Sequence, residues 1–518
     1  MEDKEMRSLL ITSAILGFSL LTFLQGCSGV NGLTAPDARN RSVQGFFGHM
    51  PVFEGDFSEP YRDLDIATLV RSEPILTTGS PAVLSVDNEP TGLSIMVSCR
   101  HEAWPVGDQA YLAWLNDNGE VIETRPFGES GQGFVEFKFP KVDCIYIPGV
   151  DQENSHVVVA VSFMWRLPNA QPPDNNWRLG VKFLHWSGEA FLETPIGPAD
   201  AEHLWLPAGA ALSDNCWGHD IAFNPQRRDV YLVFTAETNA IQYPWRLKYY
   251  HLIQPGPTFV WQDTGGPWWA ISPNFIANCW LPSIDIGKLA LQEYGGAPRM
   301  ILGVAFTAKM EGVSTYRVAG NFWCPDIDGD QDQTENVFYM VNPYVQPERD
   351  AGLPCLDISP NNTVGPYFAV SFVQSVDALH EYEVWMVDSI NNDPIRLERP
   401  QGYRQKILPS VACNYTVMGD KAVSVSMYEN LNTGEPSGNY RVAAVKVNIF
   451  PVLEVLSWAQ VQTIQIPGPW NPFNVIGQDA GVATDIQVTA TNDYYIGFSD
   501  KLDATATSVY AAWGNTNY

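Results

Sequence analysis

Short apolar runs of β-branched and aromatic residues recur along this chain, each followed by a polar turn and a run rich in Tyr, Trp and Arg. Seven such runs end in a single apolar residue, at spacings of about 55 to 72 residues. These positions are Cys99, Phe163, Phe234, Phe306, Phe372, Met427 and Phe498. Runs that are short and apolar on both faces are typical of strands that are covered on both sides. The pattern therefore predicts seven buried strands, one per repeat.

Each of these strands has predicted companions. A phrase of the type Asp-Ile precedes it, as in His219–Pro225 and Thr484–Ile486, and an alternating run follows it, as in Trp245–His251. A looser fourth run comes next, for example Thr258–Trp261. Four short antiparallel strands in each of seven units predict an all-β fold, a seven-bladed β-propeller. The 38 Pro and 41 Gly residues punctuate the strands, and no long amphipathic helical pattern interrupts them.

The last repeat predicts how the ring is closed. It ends at Trp513 after three strands, which would leave an unpaired sheet edge. We expect an N-terminal strand within Leu64–Leu76 to supply the missing outer strand of the seventh blade. The phrase Asp220–Pro225 resembles the inner-strand phrase of bacterial propellers similar to those of the WD type, without their Gly-His and Trp-Asp signatures. This resemblance concerns the fold and not an activity.

The amino end predicts a targeting segment. Leu9–Phe23 is an apolar run of signal-peptide length, and Leu24-Gln-Gly-Cys27 follows it directly. This arrangement resembles the lipobox of bacterial lipoproteins. The alternative is an ordinary secretory peptide with an incidental cysteine. We divide the chain into a lipoprotein signal peptide at 1–27, a flexible tether at 28–60 and the propeller at 61–518.

The lipobox resemblance also predicts where the protein is located. It implies that Cys27 receives a diacylglyceryl group and becomes the first residue of the processed chain. Ser28 follows this cysteine, which in similar lipoproteins favours release to the outer membrane. We therefore expect a location in the bacterial cell envelope, on a membrane through the Cys27 lipid.

Charge removes one class of partner. The chain has 58 acidic and 30 basic residues, a formal net charge of −28. Affinity for nucleic acid depends on neutralising phosphates, so this balance argues against a nucleic-acid partner. The charge has two interpretations, which are solubility by mutual repulsion and attraction of a cation or a cationic partner.

One acidic turn stands out as a candidate metal site. In Pro325–Asp332 four aspartates alternate around a glycine: Asp326, Asp328, Asp330 and Asp332. Alternating carboxylates in a tight turn can surround one ion, and hard oxygen ligands suit Ca²⁺. The turn resembles the calcium loop of integrin-type FG-GAP propeller repeats, although Gln331 and Thr334 depart from that pattern. The alternative is a solvated acidic turn between two outer strands.

Two further groups of residues are candidates for ligand binding. The predicted inner strands, which line the central channel of a propeller, contain Asp143, Asp220, Asp285, Asp357 and Asp485. They could focus cations, or they could accept backbone hydrogen bonds from neighbouring blades. Aromatic residues gather before the inner strands, and we consider Trp205, Trp217, Trp268, Trp269, Trp280 and Trp470. They could stack on sugar rings, or they could be hydrophobic plugs that order long loops.

The cysteines fit an exported protein without fixing their pairing. Without Cys27, seven of the eight remain, so at least one is unpaired or pairs between chains. Cys99 is expected to be a small buried apolar residue, and Cys144 and Cys413 are interpreted in the same way. Cys216 and Cys279 both occur in an Asn-Cys-Trp phrase before an inner strand, so a disulfide between them is one option.

Several common catalytic motifs are absent from the sequence. The sequence has no Gly-x-Ser-x-Gly, His-Glu-x-x-His, phosphate-loop or dinucleotide motif. The first hypothesis is a lipid-anchored, non-catalytic propeller that binds an envelope protein or a glycan. The alternatives are an envelope glycan hydrolase or lyase that uses channel carboxylates, and a structural lipoprotein within an envelope complex.

Overall fold

A computed structural model shows a propeller of seven sheets built from antiparallel strands. The structure describes residues 46–53, 61–68, 70–71, 92–100, 108–116, 120–128, 136–147, 156–167, 176–186, 190–194, 215–227, 229–238, 244–254, 261–264, 268–270, 277–325, 337–340, 349–359, 366–376, 382–391, 393–398, 405–414, 421–430, 438–466, 484–488, 493–503 and 506–515. Helix is almost absent from these residues; a 3-10 helix spans Gln292–Tyr294. In this part of the chain, no helix has the length and apolar character needed to cross a membrane.

Each blade contributes one strand to the inner ring and one to the layer around it. The inner strands of blades 1 to 7 are β2 (Tyr61–Thr68), β7 (Glu136–Ile147), β11 (Cys216–Asn224), β16 (Ala277–Leu289), β20 (Ala351–Ile358), β24 (Gln405–Cys413) and β28 (Thr484–Val488). The second strands are β4 (Gly92–Arg100), β8 (His156–Arg166), β12 (Asp229–Glu237), β17 (Arg299–Met310), β21 (Phe368–Ser375), β25 (Lys421–Asn430) and β29 (Asp493–Asp503).

The third and fourth strands complete the blades. The third strands are β5 (Gln109–Asn116), β9 (Arg178–Trp186), β13 (Trp245–Ile253), β18 (Arg317–Trp323), β22 (Tyr382–Asp388), β26 (Gly438–Phe450) and β30 (Ala506–Asn515). The outer strands are β6 (Val121–Gly128), β10 (Phe191–Thr194), β14 (Gln262–Asp263), β19 (Val337–Met340), β23 (Ile395–Arg396), β27 (Glu454–Ile466) and β1 (Phe46–Phe53). Two short strands are additions: β3 (Val70–Arg71) pairs with β7, and β15 (Trp268–Trp269) pairs with β13.

The seven repeated apolar residues all lie in the second strands. Each of them is at most 2% exposed, from Cys99 to Phe498. The aromatic members need room on the neighbouring strand: a Cβ on Gly180, which is opposite Phe163, would lie 2.6 Å from the Phe163 ring. Hydrophobic clusters fill the interfaces between neighbouring blades, and the largest of them joins blades 5, 6 and 7. The predicted propeller architecture is therefore confirmed.

The ring is closed by an N-terminal strand, but its position differs from the prediction. β1 (Phe46–Phe53) pairs with β30 in antiparallel fashion and supplies the outer strand of blade 7. The segment expected to do this, Leu64–Leu76, begins instead within β2, the inner strand of blade 1. The propeller sheet thus begins at Phe46, inside the range 28–60 that the sequence assigned to a tether.

The direction of the strands defines two faces. We call the face on which the inner strands end, such as β11 at Asn224, the lower face, and the opposite one the upper face. Third strands run parallel to the inner strands of their own blades because the neighbouring strands are antiparallel. The third strands β26 and β30 therefore end on the lower face, so β27 and β1 both begin there.

Candidate functional site in the central channel

Aspartates of the inner strands tie the blades together. In four of them one carboxylate oxygen accepts the N–H of the following residue; these are Asp143, Asp220, Asp285 and Asp485. In Asp65 that oxygen accepts the Lys141 ammonium group. The other oxygen of each carboxylate accepts a backbone N–H of the next blade. The contacts between blades are Asp65 to Val142 N (2.8 Å), Asp143 to Phe223 N (2.6 Å), Asp220 to Ile284 N (2.9 Å), Asp285 to Ile358 N (2.6 Å), Asp357 to Cys413 N (2.5 Å) and Asp485 to Ile66 N (3.0 Å). These hydrogen bonds show that the aspartates join neighbouring blades, which is the structural role considered from the sequence.

Blade 6 uses a serine in place of an aspartate. The Ser410 hydroxyl accepts the Ile486 N–H at 3.2 Å and donates to Asp485 at 2.5 Å. This link joins blade 6 to blade 7, and Asp485 joins blade 7 to blade 1. Together with the six aspartates, Ser410 completes one tie at each of the seven blade interfaces.

The aspartates lie on two levels of the channel, and one lysine lies among them. Cross-strand register places Asp220 and Asp485 level with Lys141, whereas Asp143 and Asp285 stand two residues further toward the lower face. The Lys141 Nζ lies 2.8 Å from Asp65 Oδ1. The acidic ring therefore contains its own cation at the upper level.

The electrostatics of the channel follow from burial and from this charge pattern. Burial raises the pKa of Asp143 to about 8 and that of Asp285 to about 6. The pKa of Asp357 is also raised, first by burial and then by the charge of Asp285, with which it shares a side-chain hydrogen bond. Burial acts to lower the pKa of Lys141, but the carboxylate of Asp65 outweighs it and holds that pKa above its ordinary value. With a pKa of about 8, Asp143 of the lower level is mostly protonated at neutral pH.

A repeated bulge sets the height of these side chains. In six of the inner strands one residue has a positive φ: Asp63 (52°), Phe139 (49°), Gly218 (75°), Leu281 (50°), Leu353 (53°) and Leu408 (49°). The strand pairing shifts at each of these points. The left-handed conformation is unfavourable for residues other than glycine, so the surrounding packing must maintain it. Each bulge rotates the rest of the strand so that the tie-forming residue faces the next blade.

The bulge has a sequence signal that the repeat analysis missed. An apolar residue, a proline and then x-apolar-Asp occurs as Phe139–Asp143, Leu281–Asp285 and Leu353–Asp357, and Leu408–Ala412 differs in its last residue. Lys141 is the x residue of the first of these phrases. Asp65 was missed for another reason: its Asp-Ile phrase matches the inner-strand pattern, but the segment was assigned to an outer strand.

The channel encloses a cavity of about 190 Å³. Residues from the inner strands of all seven blades line it, including Asp65, Lys141, Asp220, Asp285, Asp357 and Asp485. Three cysteines, Cys144, Cys355 and Cys413, also line the wall. The predicted channel position of the aspartates Asp220, Asp285, Asp357 and Asp485 is therefore correct, and a ligand for them remains a prediction.

The tryptophans predicted as sugar platforms have different environments. Trp217 is 6% exposed and packs edge-on against Phe139 and Trp177, at centroid distances of 6.0 and 6.5 Å. Trp280 is 5% exposed and packs against Tyr316. Burial of this degree leaves little ring surface for a ligand, as expected of hydrophobic plugs.

The two tryptophans of β15 are more accessible. Trp268 and Trp269 are half-buried, and Lys248 lies over the Trp269 ring at 5.2 Å. Trp205 and Trp470 lie outside the described residues. Stacking of a ligand on Trp268, Trp269 or Trp470 stays a prediction.

The candidate metal and lipid sites fall outside the described residues. This applies to the acidic turn with Asp326, Asp328, Asp330 and Asp332, and to the lipobox cysteine Cys27. Within the described ranges, no group of three or more His, Cys, Asp or Glu side chains is arranged to hold a metal ion.

The cysteines of the propeller are thiols in this structure. Cys216 belongs to the cluster between blades 2 and 3, and Cys279 to the cluster between blades 3 and 4. Both lie outside any disulfide, and Cys99, Cys144 and Cys413 are buried as predicted. The disulfide considered between Cys216 and Cys279 is not formed, because the two thiols face different blade interfaces.

Comparison with known proteins finds solved structures that resemble this chain at low sequence identity. No protein-family model matches the chain, and no curated protein matches it. A protein of unknown function from Dyadobacter fermentans is 9% identical, with a TM-score of 0.42 over 90% of this chain and 99% of that chain. A GH93 α-L-arabinofuranosidase of Fusarium graminearum and an α-L-arabinanase of Penicillium chrysogenum are 9% and 10% identical. Both have TM-scores of 0.37 over 72% of this chain and 92% of theirs. Likeness at this level does not bear on the function of the channel residues.

Proposed function

We propose that this chain is a lipid-anchored propeller of the bacterial cell envelope that binds a protein or a glycan without catalysis. The observation that supports the non-catalytic assignment is the use of the channel aspartates as ties between blades. A general base or nucleophile must be free to approach a substrate. These carboxylates instead accept backbone N–H groups of two neighbouring inner strands, so moving one of them would break hydrogen bonds between two blades.

The binding surface in this proposal is the upper face. The inner strands begin there, and the half-buried Trp245 and Phe139 lie beside those starting points. Cationic groups accompany the aromatic ones: Arg166 lies 4.5 Å and Lys138 4.8 Å from the Trp177 ring centroid. Aromatic and guanidinium groups are frequent in recognition surfaces. A rigid face with such groups suits a partner that covers several blades.

A specific observation favours a second candidate, an envelope glycan hydrolase or lyase. Asp285 and Asp357 share a hydrogen bond, and burial raises the pKa of both, which is a property of catalytic acids. Glycosidases, however, separate their two carboxyl groups by about 5 Å or more so that a sugar fits between them. Two carboxyl groups in hydrogen-bond contact are closer than this, so we rank the hydrolase second.

Envelope glycans provide the test of the first candidate. The full chain with Cys27→Ser, which cannot be lipidated, would be measured against immobilised peptidoglycan fragments and lipopolysaccharide glycans. Trp245→Ala should weaken any binding, whereas Ile122→Ala, on the outer strand of blade 1, should not. Binding that is unchanged by Trp245→Ala would place the surface elsewhere. Turnover of a glycan by the wild-type protein would favour the hydrolase instead.

A further inference from the structure

One hairpin concentrates the exposed apolar side chains of the described residues. Phe450, Val452 and Val455 are 47%, 58% and 36% exposed, and all three lie at the connection between β26 and β27 in blade 6. The other large exposed apolar side chains, Ile122 (44%) and Leu192 (45%), stand singly on the outer strands of blades 1 and 2. A cluster of apolar residues on the surface marks an interaction site more often than single residues do.

The base of this hairpin is held firmly. Asn391, in the corresponding turn of blade 5, donates from Nδ2 to the Ile449 carbonyl at 3.1 Å. Asp388 fixes Asn391 in turn through its side-chain and backbone N–H groups. Leu453 packs against the core cluster of blades 5, 6 and 7. The apolar tip is therefore presented in a fixed position, with little ordering left for a partner to impose.

A cation lies beside the apolar tip. Lys421 is opposite Phe450 in the strand pairing, and its Nζ lies 5.9 Å from the Phe450 ring centroid. An aromatic residue and aliphatic residues, with Lys421 and the exposed Glu454 at their edge, suit a surface of lipids whose headgroups have both charges. The acyl region takes the apolar groups, and the headgroup region takes the ammonium.

The hairpin also lies on the face where the amino end of the chain arrives. β1 begins on the lower face at Phe46, in blade 7, and the β26–β27 connection is on the lower face of the adjacent blade 6. β1 and β27 are in contact. Residues 28–45 join Cys27 to Phe46, so even a fully extended linker would span no more than about 65 Å. A lipid on Cys27 would therefore tether the propeller to a bilayer through this face, at a distance of no more than about 65 Å.

We propose that the hairpin Phe450–Val455 docks the propeller on the membrane that holds the Cys27 lipid. This inference rests on the proposed lipid anchor. A diacylglyceryl anchor on a flexible tether holds the chain at the bilayer but leaves the orientation of the propeller free, and the hairpin supplies a second contact that sets it. Docking in this way turns the lower face to the membrane and presents the upper face, with its aromatic residues, to partners.

A fluorescent probe at the tip tests the proposal. Val452→Cys, in a Cys355→Ser background, would be labelled with an environment-sensitive dye, because the other thiols of the propeller are buried. Leu192→Cys in the same background is the control, because Leu192 (45%) is exposed, as Val452 (58%) is, but it lies outside the hairpin. The lipidated full chain would be reconstituted into phosphatidylethanolamine–phosphatidylglycerol vesicles. We expect a blue-shifted emission that a lipid-borne quencher reduces at position 452, and aqueous emission at position 192.

Vesicle flotation separates this proposal from the anchor on which it rests. If the lipidated chain floats with the vesicles but the probe at position 452 stays aqueous, hairpin docking is wrong and the anchor is right. If the chain expressed with an intact Cys27 does not float, both are wrong. As a second readout, the chain from Ser28 onward, which has neither the Cys27 lipid nor the apolar run Leu9–Phe23, should bind the vesicles weakly. Phe450→Ser with Val452→Ser should reduce that binding about tenfold, whereas Ile122→Ser with Leu192→Ser should leave it within twofold of the parent.

Discussion

Asp220→Ala removes one complete tie between blades 3 and 4. The carboxylate accepts the Ile221 N–H at 3.0 Å and the Ile284 N–H at 2.9 Å. Alanine leaves both backbone donors without their acceptor. A buried donor that loses a charged partner costs about 1–3 kcal/mol, and water from the channel can replace part of that loss. We therefore expect the free energy of unfolding to fall by about 2–4 kcal/mol.

Thermal unfolding followed by near-ultraviolet circular dichroism measures this effect. In a propeller of this size, the loss corresponds to a decrease in Tm of about 2–5 °C. Asp220→Asn keeps one acceptor oxygen and should lose about half as much. Asp393→Ala is the control, because Asp393 is an exposed aspartate in the connection between β22 and β23 of blade 5. A Tm for Asp220→Ala within 1 °C of that of Asp393→Ala would refute the assignment of Asp220 as a structural tie.

Three further predictions concern the channel carboxylates, the bulge of an inner strand and the strand that closes the ring of blades. Burial raises the pKa of Asp143 to about 8 and of Asp285 to about 6, so the folded state binds more protons than the unfolded state between about pH 4 and 8. Stability should then fall as the pH rises from 5 to 8.5, and Asp143→Asn should flatten this decline in a Tm-versus-pH series; an unchanged slope would contradict the raised pKa. Gly218→Val should destabilise by about 1–3 kcal/mol, because φ is 75° there and an added Cβ would lie 3.2 Å from the Leu281 side chain. Urea titration measures this loss, and Gly312→Val, where φ is 74° but the space around the Cβ is open, isolates the packing part. Deleting residues 46–53 should unpair the edge of β30, lower the Tm and promote aggregation; a monomeric product that melts at the wild-type temperature would show that β1 does not close the ring.

The sequence could predict the architecture because the second strands have the most regular pattern of apolar residues. They pair on both sides and are covered on both faces, so residues such as Phe163 and Phe372 are apolar in every repeat. Outer strands pair on one side only and are partly exposed. β1 (Phe46–Phe53), which contains Gly48 and Pro51, therefore resembles a linker more than a strand. This is why the closing strand was placed too late in the chain.

The candidate site was predicted in part. The Asp-Ile phrase located most of the channel aspartates, but it did not distinguish the two levels on which they lie. Their exact partners depend on the bulges, whose positive φ values at residues such as Leu281 and Leu353 are set by packing between blades and not by local propensity. Lys141 has no counterpart in other blades, so a repeat-based comparison could not reveal that the acidic ring contains its own cation.

The central claim is that the channel carboxylates hold the blades together and do not catalyse a reaction. The most direct test measures glycan turnover and Tm together for the wild-type protein, Asp285→Asn and Asp357→Asn, on a panel of envelope glycans. We predict no turnover by any of the three proteins and a lower Tm for both variants, because each loses a hydrogen bond between blades. Turnover by the wild-type protein that either substitution abolishes, at an unchanged Tm, would contradict the claim.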